Sequence, residues 1–163
     1  MLITQKHKII IRHQLLQIRM FFIIMGCASF ANINGQNLEK HTWNNRILFV
    51  KTYDSTLDIY QEQIKEFENS PDELKVRKFV LYKIVKDDFE MVSFENPEFV
   101  ESGKIAGKAI GTSLDERTNF QVILIGLDGG IKLRQSAILR KEELFDIVDA
   151  MPMRRNELSK KID

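Results

Sequence analysis

From residue 46 onward the chain switches repeatedly between two hydrophobic patterns. Arg46-Ile-Leu-Phe-Val-Lys-Thr-Tyr53 is an unbroken apolar and β-branched run, which predicts a strand buried on both faces. Asp54 and Ser55 follow as helix-capping residues, and Leu57, Tyr60, Ile64 and Phe67 then recur at helical spacing with charges opposite them. Asn69-Ser-Pro-Asp72 reads as a loop, and Arg77 to Lys86 as a second buried strand that Asp87 and Asp88 end. Phe89 to Phe94 reads as a short strand or a loop. Pro97 to Gly111 has weak helical periodicity broken by Gly103, Gly107 and Gly111, each of which costs a helix about 1 kcal/mol against alanine.

The last third is clearer. Phe120-Gln-Val-Ile-Leu-Ile-Gly126 predicts a third buried strand, Asp128-Gly129-Gly130 supplies the positive-φ positions of a tight turn, and Ile131 to Arg134 predicts the returning strand. Lys141 to Met151 predicts a helix with Leu144, Phe145, Val148 and Met151 inward; Pro152 ends or kinks it, and the polar tail from Met153 is compatible with more helix. A helix between two buried strands implies a right-handed parallel crossover. The order is βαβ, a helical crossover, then ββα. It predicts an α/β, thioredoxin-like fold: a central mixed sheet of about four strands with helices on both faces.

Charge changes the picture at the N-terminus. Residues 1–36 carry Lys6, Lys8, Arg12 and Arg19 and no acid, and the apolar run Met20 to Ala31 follows directly. A basic stretch, a short apolar stretch and small residues form the pattern of a secretory signal, and the run is too short to span a bilayer. The expectation is an export segment over 1–36 and one domain over 37–163, periplasmic or extracellular. Met1 and Met20 both remain candidate initiators. Cleavage after Ala31 or near Gln36, lipidation of Cys27 behind Ile24-Met25-Gly26, an uncleaved segment as the sole membrane attachment, and a cytosolic protein are the alternatives. Without residues 1–36 the chain has 20 Lys and Arg against 23 Asp and Glu, a net of −3 instead of the +1 of the whole chain. A slightly acidic domain without a basic stripe makes nucleic acid a poor partner.

The candidate chemistry is sparse. Thiol–disulfide exchange needs a cysteine where the first strand meets the first helix, but that corner reads Tyr53-Asp54-Ser55-Thr56, and the only cysteine is Cys27. One histidine, His41, remains beyond residue 36, which excludes His/Cys zinc sites and makes a surface or half-buried side chain its plainest reading. Asp87/Asp88 and Asp115/Glu116 read as solvated turns. No metal and no cofactor is expected. Arg154 and Arg155 are the sharpest candidates: paired guanidinium groups clamp a carboxylate or phosphate, or else cap the closing helix and pair with Asp146 and Asp149. Arg46 and Arg134 read as inward salt-bridge partners on strands, and Trp43 as a core-edge anchor or a ligand platform. Asp54 marks a cleft at the first helix N-terminus.

Val122-Ile-Leu-Ile-Gly-Leu-Asp-Gly-Gly-Ile-Lys-Leu-Arg134, then Glu143 to Arg155 with its Met-Pro-Met-Arg-Arg element, closely resembles the signature of domain of unknown function family 4174. His41-Thr-Trp-Asn-Asn-Arg-Ile-Leu-Phe-Val50 is similar to that family's first strand and its preceding tryptophan. The resemblance implies a thioredoxin-like domain similar to one in secreted sushi-repeat and extracellular-matrix proteins, and it implies no particular activity. The expected function is an exported, redox-inactive module that binds a protein or envelope component. A non-thiol enzyme or anion-binding protein using the Asp54 cleft is the alternative.

Overall fold

β1 (Arg46–Thr52) organises the described chain, because both of its neighbours come from distant parts of the sequence. In the computed structural model, residues 38–105 and 118–160 are described. β1 pairs in parallel with β2 (Phe79–Val85) and antiparallel with β5 (Phe120–Ile125). β3 (Asp88–Ser93) and β4 (Val100–Lys104) extend the β2 side, and β6 (Ile131–Gln135) extends the β5 side. The order across the sheet is β4-β3-β2-β1-β5-β6. The described residues are therefore mixed α/β with a six-stranded sheet, not the expected four strands.

The two extra strands correct the reading of residues 89–104. Phe89 and Met91 alternate with exposed Asp88 and Glu90 as a half-buried strand requires, and Lys86, at φ 56°, turns the chain tightly between β2 and β3. Gly103 suits β4 because a Cβ there would meet the Phe89 ring at 3.0 Å. The rest of the expected helical stretch, 106–111, lies outside the described residues, as do the export segment over 1–36, Cys27 and Asp115/Glu116.

Four helices complete the described chain: α1 (Asp58–Glu68), α2 (Pro71–Val76), α3 (Lys141–Asp149) and α4 (Pro152–Ser159). Tyr60, Ile64 and Phe67 of α1, Leu74 of α2, and Leu144 and Val148 of α3 bury against Leu48, Val50, Leu81, Val122 and Leu124 on one sheet face. The other face gathers Ile47, Phe49, Tyr82, Ile84 and Ile123, and among the described residues Leu38 and Ile105 pack against it.

Local chemistry shifts three boundaries. Asp54 does not cap α1; its carboxylate accepts from the Thr56 N–H and hydroxyl, which turns the chain and leaves Leu57 as N-cap. The expected Asn69–Asp72 loop is shorter because Pro71 opens α2. Pro152 does the same for α4, so the polar tail is a helix of its own.

Gln63 ties the helical layer together. It is fully buried, its amide donates to the Leu139 carbonyl at 2.9 Å, and its Oε1 accepts from the Leu139 N–H at 2.6 Å. One side chain thus satisfies both polar groups of a buried loop residue next to α3. Gln63→Leu should destabilise the fold by at least about 2 kcal/mol, because it leaves that N–H and C=O buried without partners; urea unfolding measures it.

Candidate functional site

The N-terminal end of β1 carries a buried polar cluster beside the apolar core. Arg46 is 1 % exposed and Arg154 is 3 % exposed. Burying two guanidinium groups is costly unless each is paired and hydrogen-bonded. Chain order supplies the partners: α3 ends at Asp149, Pro152 starts α4 at once, and the short helix turns Arg154 and Glu157 toward β1.

Arg154 Nε donates to Asp149 Oδ1 at 3.1 Å, and its Nη1 donates to Glu157 at 3.2 Å and to the Val76 carbonyl at 2.9 Å. Arg46 Nη1 donates to the Arg77 carbonyl at 2.8 Å, and both of its Nη groups reach Glu157 at 3.4 Å. Arg77 adds a two-pronged contact to Asp149, while its guanidinium stacks 4.1 Å from the Phe145 ring. The Val76 and Arg77 carbonyls close the C-terminal end of α2, which leaves such groups unpaired and partly negative. Two arginines from elsewhere in the chain therefore cap that helix.

Electrostatics follow the burial. Burial pulls the Arg46 pKa below its ordinary value, opposed by Glu157. Burial would raise the Asp149 carboxyl, but hydrogen bonds from Arg77 and Arg154 bring it below the usual carboxylate range. His41, in the same lead-in, is 5 % exposed instead of a surface side chain. Its Nδ1 lies 3.2 Å from Asn45 Oδ1 and its Nε2 lies 2.8 Å from the Tyr82 hydroxyl. With Nδ1–H donating to the amide oxygen, Nε2 accepts the phenol proton. Burial lowers the His41 pKa and raises that of Tyr82.

The candidates divide by position. Arg46, Arg154 and Trp43 come together at this end of the sheet. Arg154 and Trp43 line a groove of about 920 Å³, and Arg46 lines a smaller cavity of about 370 Å³ with Met151, Pro152 and Met153. Arg155 points away, exposed, and donates to the Ala150 carbonyl at 2.8 Å. Arg134 is exposed on edge strand β6 instead of turned inward. Asp54 sits past the other end of β1, roughly 20 Å away by strand rise; its carboxyl is held below its ordinary pKa by the Thr56 hydrogen bonds. Trp43 is 64 % exposed, which removes the core-edge reading. Arg77 and Glu157 were not singled out by sequence reasoning, whereas Asp149 was named there as a pairing partner and is met by Arg154. Glu157, three residues after Arg154, was the one available signal.

Among the described residues no group of three or more His, Cys, Asp or Glu could hold a metal ion, and no helix is long and apolar enough to cross a membrane. The family described as "Domain of unknown function (DUF4174)" matches residues 37–157, which runs from just before the His41 lead-in through Glu157. The chain belongs to that family. No curated protein and no solved structure matches it. The DUF4174 match spans every residue of the polar cluster, including the Met-Pro-Met-Arg-Arg element that delivers Arg154.

Two predictions follow from this geometry. Arg154→Ala should cost about 3 kcal/mol in urea unfolding, since it removes one of the cations that pair with Asp149 and Glu157 and takes the side-chain donor from the Val76 carbonyl, whereas Arg155→Ala should stay within about 0.5 kcal/mol. His41 with a lowered folded pKa contributes stability that is present above its unfolded pKa of about 6.5 and is lost as pH falls through the folded value. Asp149 adds a second loss below about pH 4, by the same sign. Thermal midpoints measured against pH should show the first decline in the native chain and not in His41→Gln.

Proposed function

We propose that this DUF4174 protein is an exported, redox-inactive, thioredoxin-like module that works by contact with a protein or envelope component. The observation that carries the reading is the chemistry of the corner after β1. Tyr53, Asp54, Ser55 and Thr56 occupy the turn where a thioredoxin-like enzyme would need its thiolate, and the chain's single cysteine is Cys27. The topology supports the fold part of the proposal. β1-α1-β2 is a parallel βαβ unit, β5-β6-α3 is a ββα unit, and the two join through antiparallel β1 and β5. On this reading β3 and β4 are an extension at the β2 edge. Export rests on the basic and apolar pattern of residues 1–36.

Anion binding at the α1 N-terminus draws less support. An anion there would meet the ionised, fully exposed Asp54 carboxylate, which already holds the Thr56 N–H. The proposal predicts insulin reduction no faster than buffer, together with reproducible retention of an envelope protein on the immobilised full chain. Measurable insulin turnover, or an envelope fraction that leaves nothing bound, sinks it.

A further inference from the structure

Trp43 is held in an arrangement that the fold does not need. Its φ is 68°, in the left-handed region, where a bulky side chain is strained. Its N–H donates to the Leu127 carbonyl at 2.7 Å, a bond any residue could make, while the indole stands 64 % exposed. Three non-glycine residues among those described have positive φ: Trp43, Lys78 and Lys86. Lys86 is explained by the β2–β3 turn, and Lys78 by the end of α2, where its N–H bonds the Lys75 carbonyl at 2.8 Å, which leaves Trp43. Strain of this kind gathers where geometry serves binding more than stability.

The groove has an apolar wall and a basic rim. Val76, 47 % exposed, faces it with Trp43, and Lys75, Lys78 and Lys160 line it against Glu95 and Glu157, which pairs with Arg46, Arg154 and, at 3.7 Å, Lys78. This local excess of lysine occurs in a domain that is acidic beyond residue 36. Such a surface complements a negative chain carrying apolar side chains.

We propose that the Trp43 groove docks an acidic peptide segment of a partner protein, with an apolar residue of that segment seated on the indole between Lys75, Lys78 and Lys160. This rests on the binding-module reading and adds the surface and the partner class. Trp43 is the only tryptophan in the chain, so its emission reports the site without a label.

The test titrates the full chain with a fluorescein-labelled synthetic peptide of aspartate, glutamate, leucine and phenylalanine, with its lysine-substituted counterpart, and with an oligoglucuronate. The expected result is saturable binding of the acidic peptide with a blue shift of Trp43 emission, weakened by salt and absent for the basic peptide. Peptide anisotropy should show binding at least about tenfold weaker to Trp43→Gly and Lys75→Glu, with Lys65→Glu unchanged. Trp43→Gly should keep its thermal midpoint or raise it, which separates a binding role from a structural one. Equal binding of both peptides, preference for the oligoglucuronate, or full binding by Trp43→Gly overturns the proposal. If Trp43→Gly retains an envelope protein as well as the native chain does, the groove is the wrong surface although the module reading survives. If the peptide binds as expected and neither chain retains anything from the envelope, the groove stands and the envelope setting falls.

Discussion

The carboxylates Asp149 and Glu157 hold three arginines that would otherwise be intolerable at the end of the sheet. Arg46 begins the central strand and Arg77 follows α2, so their pairings with Glu157 and Asp149 span long stretches of chain, while Arg154 joins the two carboxylates from within the closing segment. α4 is otherwise polar, with Arg154 as its buried residue. Its attachment therefore depends on charge and hydrogen bonding where α1 and α3 rely on apolar faces. That dependence makes the element all-or-nothing: a buried ion cluster is tolerable when complete and costly when one member is missing.

The same cluster governs what the surface above it can do. Arg154 and Glu157 form part of the groove beside Trp43, but both are committed to internal partners. They act as a floor to which Lys78 also pairs through Glu157, and Lys75, Lys160 and the indole provide the groups for contact. Of the Arg154–Arg155 pair that looks like an anion clamp in the sequence, Arg154 becomes the support for a neighbouring surface and Arg155 points away from it.

The strands and helices with strong periodicity were legible in the sequence: β1, β2, β5, α1 and α3 all stand within a few residues of their expected limits. β3 was legible only as the strand side of a strand-or-loop choice at Phe89 to Phe94, and β4 was not legible, because its glycine-containing run leaves nearly every side chain exposed and gives no period. The caps were misread for a related reason. Asp54 can bond its own turn as well as a helix end, and only the three-dimensional path of the chain decides between them. The site was half legible. Arg46, Arg154 and Trp43 were visible as unusual residues, but their carboxylate partners lie among many surface acids, and nothing local distinguishes Asp149 from Asp146. Trp43's exposure was invisible for a similar reason, since a tryptophan before a buried strand is more often packed than displayed.

The placement of β1 carries a consequence for incomplete chains. Arg46 meets Phe79 on one side, and Ile47 meets Ile125 on the other. A chain that stops before Phe120 would have β2 but not β5, leaving a seven-residue strand of wholly buried positions with one row of amides and carbonyls open. Such an edge is a template for a second copy, so truncated forms of this domain should self-associate before they fold.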